Sequence, residues 1–414
     1  MNAVSRRDFL AVSALTFGSN LGTAQKPDTP VKVPARAVTK GAKHHFFGYY
    51  DKTPWDKTGR FLLANEVDFA DRQPRPGEEL TVGMVDLADG DRFIPLAKTP
   101  AWCWQQGTML QWLGSAPERD IVFNSFTDSE PTATLLDVRT GKARTLPRPI
   151  YALSADGTQA VSLDFARLHR LRPGYGYASY SERLADQPAP EQLGIWWMDV
   201  KTGKNNLIIT LKQLAGFKPD DRFAGAHHWV NHLLFNPSGT RFVFLHRWKK
   251  PNDRAWQTRM LTAKPDGSDL RIAFDDGMAS HFDWRDDTTI LAWARARSDG
   301  NKFYALDITR GELQVIGADV LTQDGHCSYS PDRKWILNDT YPDKGRLQWL
   351  MLFKVATGRR YDLNQFPSPK QYTGAWRCDL HPRWNRDGTQ VCIDGCHDEK
   401  RQVYVLDVGE VVKS

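Results

Sequence analysis

The sequence predicts an all-β fold, a seven-bladed β-propeller built of four-stranded antiparallel blades. Three observations predict it. A short apolar strand, a turn rich in Asp, Gly, Pro or Ser and a β-branched strand recur seven times along the 414 residues. A second hairpin-like unit follows most copies, and two hairpins per unit make a four-stranded blade. Most copies are also spaced at about the 40–50 residues expected of propeller blades.

The first half of each unit carries the turn chemistry of a tight hairpin, because Asp, Asn and Gly tolerate positive φ. The seven copies occupy residues 54–61, 111–123, 153–158, 235–242, 284–287, 329–333 and 384–389. The second half is an alternating strand that ends in a polar turn, at residues 85–87, 136–141, 198–203, 306–311, 354–358 and 406–408. One interval, from Leu153 to Phe235, is much longer than the others and predicts an insertion at about 165–192.

The repeats cover nearly the whole chain, so residues 25–414 are predicted to form a single propeller domain. The last apolar strand, residues 403–408, is expected to pair near residues 31–39 and so to close the ring. The repeat resembles the TolB-type and dipeptidyl-peptidase-type propeller units, with their aromatic-x-Pro-Asp-Gly turn. This resemblance implies a fold and leaves the function open.

The N-terminus resembles a twin-arginine export signal. Arg6 and Arg7 precede a modestly apolar stretch at residues 10–21, and Gly22-Thr23-Ala24 offers a cleavage site of small residues. Residues 1–24 are therefore predicted to be a signal peptide, and the mature protein to be periplasmic or secreted. The alternative is an ordinary arginine pair on an N-terminal helix. No later stretch of about 18 apolar residues occurs, so no membrane span is expected after signal removal.

The composition disfavours a nucleic-acid partner. The formal net charge is only +6, and no arginine-rich tail occurs in the sequence. An anionic small ligand or a uronate polymer suits this charge. The chain has five cysteines and no CxxC motif, which gives a structural zinc site little support. A monomer is expected.

Histidines concentrate at one structural position. The loop that enters the first strand of each propeller blade opens on one face, beside the central channel. Eight of the 11 histidines fall in such loops: His44, His45, His227, His228, His232, His281, His326 and His381. Gln105 and Gln106 hold the same position in blade two. These loops predict a convergent site, with His45, Gln105, Gln106, His232 and His381 as substrate-binding residues.

Other loops of the same face carry arginine and aromatic residues. Arg247 lies at the end of the second strand of blade four, and the predicted insertion contains Arg170, Arg172, Tyr175, Tyr177, Tyr180 and Arg183. Such residues suit an anionic sugar chain, through ring stacking and carboxylate pairing. The alternative is a solvated loop packed on its neighbours. Imidazole and amide ligands suit Mn, Zn or Fe better than Ca, which prefers oxygen.

One motif resembles the metal site of oligogalacturonate lyases. It combines the run His281-Phe282-Asp283-Trp284 with Gln323-Asp324-Gly325-His326-Cys327-Ser328, one blade later. The family holds manganese by one His and then a Gln-x-x-His-x-His cluster. The resemblance implies a divalent metal, with Mn favoured, bound by His281, Gln323 and His326. Ser328 stands where the family has its last His, and His381 or His228 could supply the missing imidazole.

The function that this resemblance implies is β-elimination from a uronate-containing oligo- or polysaccharide. The C5 proton must become acidic, which a metal or an arginine achieves by neutralising the adjacent carboxylate. Arg377 and Arg247 are the candidates for carboxylate clamp or base, followed by His228 and Tyr50. The hypothesis is a metal-assisted periplasmic lyase.

Two alternatives remain open. The first is a non-catalytic TolB-like propeller that binds a protein or a glycan. The second is a glycosidase with paired carboxylates, since Asp51, Asp324 and Asp379 fall at the same rim. A peptidase of the dipeptidyl type is disfavoured because no Gly-x-Ser-x-Gly motif occurs.

Overall fold

The computed structural model describes residues 31–414, which form seven four-stranded antiparallel sheets arranged as the blades of a propeller. The seven-bladed fold predicted by the repeats is confirmed. The predicted signal peptide, residues 1–24, lies outside the described part of the chain. Within residues 31–414, none of the helices has the length and apolar character needed to span a bilayer.

The first three blades follow one another along the chain, after strand β1 at Ala35–Ala37. Blade one comprises β2 (His44–Phe46), β3 (Phe61–Val67), β4 (Leu80–Asp86) and β5 (Arg92–Thr99). Blade two comprises β6 (Gln111–Trp112), β7 (Asp120–Thr127), β8 (Glu130–Asp137) and β9 (Ala143–Leu146). Blade three comprises β10 (Ala152–Leu153), β11 (Gln159–Ser162), β12 (Gly194–Asp199) and β13 (Asn205–Thr210).

The remaining blades repeat this order, and the last one takes up β1. Blade four comprises β14 (His227–Phe235), β15 (Phe242–Lys249), β16 (Gln257–Ala263) and β17 (Arg271–Phe274). Blade five comprises β18 (Met278–Trp284), β19 (Thr289–Ala296), β20 (Gly300–Asp307) and β21 (Glu312–Ile316). Blade six comprises β22 (Ser328–Tyr329), β23 (Trp335–Asp339), β24 (Leu347–Lys354) and β25 (Arg359–Pro367). Blade seven comprises β26 (Arg383–Trp384), β27 (Gln390–Asp398), β28 (Lys400–Asp407) and β1.

Helices are few and short. The segment between β11 and β12 contains α1 (Phe165–Leu171), whose N-cap Asp164 accepts a hydrogen bond from the backbone N of Arg167. Helix α2 (Leu211–Gly216) precedes blade four, and α3 (Gly409–Lys413) ends the chain. Short 3₁₀ turns occur at Asp221–Phe223 and Gly374–Trp376. The α1 segment lies beside the loops that enter the first strands.

The polar turn residues of the repeat close the first hairpin of the blades. A side-chain oxygen of Asp56, Asn236 or Asn385 accepts a hydrogen bond from a backbone N five residues later, at 2.9–3.0 Å. Ser154 and Ser330 accept the equivalent bond in their blades at 3.0 Å. In these five blades the repeated polar residue therefore fixes where the first strand ends.

The ring closes through the two ends of the described chain. Strand β1 pairs with β28 in antiparallel register, with Ala35 opposite Leu406 and Ala37 opposite Tyr404. The backbone N of Val38 also donates to the carbonyl of Val403 at 2.9 Å. This confirms the closure predicted from the apolar strand. It also removes the exposed edge that β28 would otherwise present.

Candidate functional site

Three imidazoles from three consecutive blades meet near the channel axis. The ring centroid of His326, in the loop before β22, lies 4.2 Å from that of His281 and 4.3 Å from that of His381. All three side chains are buried. His281 lies in β18 at a register shift, and His381 has a φ of 43°, so local backbone irregularity turns both rings inward. The predicted convergence of these histidines is present in the structure.

Carboxylates contact the Nδ1 atoms of two of these rings and so fix the orientation of the rings. The Nδ1 atom of His326 lies 3.0 Å from both oxygens of Asp339, and Nδ1 of His281 lies 2.9 Å from Asp324. Burial raises the pKa of Asp339 to about 7, but the backbone N of His326 also donates to it at 2.6 Å and favours the carboxylate. When Asp339 is ionised, Nδ1 of His326 donates to it and Nε2 presents the free lone pair.

The donor set at the centre of the cluster fits a divalent metal ion. Ligand atoms of His326, Asp379 and His381 all lie within 4.8 Å of one another. The Nε2 atoms of His326 and His381 are buried and have no hydrogen-bond partner within the described residues. Buried polar atoms are normally paired, so these two nitrogens are available to a ligand. Two imidazoles and a carboxylate suit Mn, Fe or Zn.

Burial keeps the histidines neutral. It lowers the pKa of His326, His381 and His232 well below the ordinary value. The charge of neighbouring histidines and arginines lowers these pKa values further. Neutral imidazole is the form that coordinates a metal, so His326 and His381 are in their binding form at pH 7.

Two arginines beside the cluster have no carboxylate partner within residues 31–414. Arg247 is only 3% exposed, and its Nε and Nη1 atoms lack hydrogen-bond partners among residues 31–414. Burial, and next the charge of Arg172, lowers the pKa of Arg247 to about 9. The Arg172 guanidinium lies 4.0 Å from the ring of Tyr175 and 4.7 Å from that of Trp256, which is 40% exposed. Burying a cation without a counter-charge is unfavourable in free energy. An anion bound in this region would therefore be stabilised by these guanidinium groups.

Arg377 links the arginine region to the candidate metal ligands. Its Nε lies 2.7 Å from Asp379, and its Nη2 donates to the Tyr175 hydroxyl at 2.9 Å. Burial raises the pKa of Tyr175, but Arg377 and Arg172 outweigh burial and hold this pKa below its ordinary value. Tyr175 is therefore the most acidic candidate among the buried phenols of the site, and it is suited to proton transfer.

His232 and Gln106, two more of the predicted binding residues, both contact the hydroxyl of Tyr151. His232 stacks on Tyr49, with ring centroids 4.9 Å apart, and its Nδ1 lies 3.3 Å from the Tyr151 hydroxyl. Gln106 donates to the same hydroxyl. Gln105 has a different position, because its amide donates to the carbonyls of Ala375 and Arg377 at 3.2 and 3.1 Å. It holds the loop that carries Arg377.

Other predicted residues do not reach the cluster. Gln323, the implied metal ligand, is exposed, and Asp379 stands beside His326 in its place. His45 is buried between blades one and seven, where its ring contacts Gln402 at 3.0 Å and Glu66 at 3.3 Å. His45 was predicted from loop position and Gln323 from the family resemblance, and neither determines where a side chain points.

His228 and Tyr50, predicted as catalytic, are engaged in internal contacts. His228 lies opposite Trp248 in the β14–β15 pair, and its Nδ1 is 2.9 Å from Nε2 of His246. Strand alternation directs this ring away from the axis. The Tyr50 hydroxyl exchanges hydrogen bonds of 2.9 Å with the backbone of Phe282, although its ring lies 5.3 Å from that of His326. Tyr50 therefore packs against the cluster, and both hydrogen bonds of its hydroxyl are made to the backbone.

Asp339 ends the second strand of blade six and Tyr341 follows that strand, and neither residue was predicted from the sequence. Arg247 holds the same position in blade four, so a signal was present: residues at the end of each second strand open on the same face. Asp51, a carboxylate of the glycosidase alternative, is paired with Lys52 at 2.7 Å and borders a cavity at the other end of the channel. The three carboxylates of that alternative do not form one group.

Comparison with known proteins adds evidence on the fold. No protein-family model matches the chain, and no curated protein sequence matches it. Oligogalacturonate lyase from Vibrio parahaemolyticus is 13% identical over 93% of this chain and 96% of that chain, with a TM-score of 0.65. Oligogalacturonate lyase in complex with manganese is 15% identical over 94% and 100%, with a TM-score of 0.67. TolB from Acinetobacter baumannii is 15% identical over 77% and 63%, with a TM-score of 0.40. The two lyase structures share the propeller fold of this chain.

The buried pair His228 and His246 predicts a loss of stability in mild acid. Arg259 donates to Nδ1 of His246 at 3.0 Å, so this ring is neutral, and burial lowers the pKa of His228 to about 4. Below the unfolded pKa of about 6.5, the unfolded chain binds protons that the folded chain excludes. The contribution of each such neutral histidine to the free energy of unfolding is therefore fully present above about pH 6.5. It decreases towards pH 4 by about 1.4 kcal/mol per pH unit for each such proton.

Urea denaturation followed by tryptophan fluorescence at a series of pH values checks this expectation. The free energy of unfolding should decrease between pH 6 and pH 5. In a His228→Gln variant the slope should be smaller by close to one proton (about 0.9 from the two pKa values). An identical slope in the two proteins would show that His228 does not titrate as described.

Proposed function

We propose that this protein is a lyase that cleaves a uronate-containing oligo- or polysaccharide by metal-assisted β-elimination. The observation that carries the proposal is the convergence of His326, His381 and Asp379 beside Arg247, a buried cation with no carboxylate partner in the described part of the chain. A metal-binding donor set next to unpaired guanidinium groups suits a carboxylate-bearing substrate. The fold shared with two oligogalacturonate lyase structures is consistent with this proposal.

Arg247 and Arg172 would bind the substrate carboxylate. Both guanidinium groups lie within 5.5 Å of the Trp256 ring, and this tryptophan is exposed at the edge of the site. A sugar ring can stack on such a surface while its carboxylate pairs with guanidinium. The proposed substrate is therefore a chain of sugar acids and not a neutral glycan.

The candidate metal ligands are His326, Asp379 and His381, with His281 next to them. A divalent ion held there would neutralise the uronate carboxylate and so make the C5 proton more acidic. Asp339 and Asp324 keep the imidazoles of His326 and His281 oriented.

Tyr175 is the proposed proton-transfer residue. In β-elimination the electron pair of the C5–H bond forms the C4–C5 double bond, and the C4–O4 pair leaves with O4. The phenol oxygen of Tyr175 would take the C5 proton and return it to O4. Arg377, 2.9 Å from that oxygen, stabilises the phenolate that takes the proton.

The catalytic prediction compares Tyr175→Phe with Tyr177→Phe, a matched loss of one buried hydroxyl in the same segment. The Tyr177 hydroxyl bonds Asn124 and does not reach the cluster. The mature protein, given pectic, alginate and glycosaminoglycan oligomers with and without Mn²⁺, should raise the absorbance of unsaturated uronate on one class. On that class, Tyr175→Phe should lower kcat by roughly 10²- to 10⁴-fold, while Tyr177→Phe keeps most of the activity. No absorbance rise on any class would contradict the proposal.

The metal prediction concerns retention of the ion. His326→Ala and His381→Ala should abolish retention, because each removes a ligand. Asp339→Asn should weaken Mn²⁺ binding by roughly 10- to 100-fold through loss of ring orientation. His227→Ala, a partly exposed histidine outside the cluster, is the control. Elemental analysis and Mn²⁺ titration provide the measurement, and equal retention in all four variants would refute the assignment.

We also propose that the protein is exported by the twin-arginine route. The sequence Ser5-Arg6-Arg7-Asp8-Phe9-Leu10 supports this proposal. The double change Arg6→Lys, Arg7→Lys should leave the protein in the cytoplasmic fraction of a bacterial host, whereas Arg36→Lys should be exported like the wild type. Cell fractionation with immunodetection checks the result. Export of the double variant at the wild-type level would contradict the route.

A further inference from the structure

The candidate metal ligands are closed off from solvent. The Nε2 atoms of His326 and His381 and both carboxylate oxygens of Asp379 have almost no surface accessible to water. A sugar acid cannot reach these atoms in this arrangement. A part of the molecule must therefore move before a substrate meets the ligands.

Arg377 is the partly exposed group that lies against the buried carboxylate. Its side chain is 26% exposed, whereas that of Asp379 is 1% exposed, and its Nε lies 2.7 Å from the carboxylate. The guanidinium also lies 5.9 Å from the ring centroid of Tyr175 and 5.8 Å from that of Tyr341. Displacement of Arg377 would therefore open a path from solvent to Asp379.

The segment that carries Arg377 is anchored at its ends and lightly held between them. Residues 373–377, called the lid below, contain the 3₁₀ turn Gly374–Trp376, whose N-cap Thr373 makes no capping hydrogen bond. Among the described residues, no backbone–backbone hydrogen bond joins the lid to another segment. Tyr372 and Cys378, on either side of the lid, are buried. A short segment of this kind opens at a lower free-energy cost than the blades, so it can move while its ends stay fixed.

Two side chains hold the lid in its closed position. Gln105 donates its amide to the carbonyls of Ala375 and Arg377 at 3.2 and 3.1 Å. Arg401 donates its Nη2 to the carbonyls of Trp376 and Arg377 at 3.0 and 2.8 Å. Each hydrogen bond of this kind makes a modest net contribution in water, so the four bonds can break and form again.

We propose that residues 373–377 form a lid, which opens to admit the substrate and closes to place Arg377 against Tyr175 and Asp379. The structure has the closed position, in which Nη2 of Arg377 donates to the Tyr175 hydroxyl at 2.9 Å. Closure excludes water from the ligands and completes the contact that stabilises the phenolate. This inference rests on the proposed function, which requires that a substrate reach the ligands.

The test locks the lid with an engineered disulfide in the double variant Gly174→Cys, Ala375→Cys. A Cβ added at Gly174 lies 3.2 Å from the Cβ of Ala375, close to the roughly 3.5–4.5 Å that a disulfide spans. The probe is diethyl pyrocarbonate, which acylates neutral imidazole, applied at neutral pH with a chelator present. Peptide mass spectrometry confirms the bond and measures the modification rate of His381.

Oxidation of the double variant should slow the modification of His381 at least about 10-fold, and reduction should restore the rate, because the reagent reaches this ring only when the lid opens. The two single variants cannot form the bond. They are the controls and should react at the same rate after oxidation and after reduction.

A second variant loosens the lid without an engineered bond. Gln105→Ala removes two of the four bonds and should speed the modification of His381 about 3- to 10-fold. Gln111→Ala is the matched control and should react like the wild type, because this buried amide of blade two donates to the carbonyl of Met109. His246, fully buried in blade four, reports opening of the whole fold and should react no faster in either variant.

Equal modification rates of His381 in the oxidised and reduced double variant would overturn the proposal. No modification of His381 in any of the proteins, or a parallel rise at His246 in Gln105→Ala, would also overturn it. These measurements need no turnover, so they decide the lid whether or not the protein proves to be a lyase. On a substrate that the wild type cleaves, oxidation of the double variant should abolish turnover, and turnover that oxidation leaves unchanged would contradict the lid.

Discussion

The buried ion pair of Arg383 and Asp394 is the interaction on which the candidate site most depends. Arg383 is almost fully buried and donates to both oxygens of Asp394, at 3.1 and 2.9 Å. It also donates to the carbonyls of Gly48 and Tyr49 at 2.7 and 3.1 Å, in the segment that follows β2. One guanidinium therefore joins the last blade to the first, with every charge paired, as a buried ion pair requires.

This contact places the candidate ligands of blade seven beside the aromatic residues of blade one. His381 precedes Arg383 by two residues, and its ring lies 5.0 Å from that of Tyr49. Tyr49 in turn stacks on His232 of blade four, across the channel. The histidines are far apart in the chain, and the propeller brings them together only because blades one and seven are held at a fixed distance. Arg247 contrasts with Arg383, since it is also buried but has no carboxylate partner among the residues that the structure describes. The same residue type serves the fold in one place and is available to a ligand in the other.

The sequence predicted the architecture well because its repeats are local. The turn residues Asp56, Asn236 and Asn385 make the same contact in their blades. Each copy of the repeat therefore predicts one hairpin from its own few residues. Loop position also predicted that His281, His326 and His381 converge. It could not predict side-chain direction. His228 lies within β14 with its ring directed away from the axis, and Gln323 is exposed, so neither side chain joins the cluster. Asp339 was missed because it supports His326 across a strand pair, a contact that only the folded register reveals.

The central claim is that neutral imidazoles from different blades, with Asp379, form one metal site. Crystals grown with Mn²⁺ and measured at the manganese absorption edge test it most directly. A single anomalous peak in contact with His326, Asp379 and His381 is the predicted result. Anomalous density elsewhere in the molecule, with these three side chains free of metal, would contradict the account.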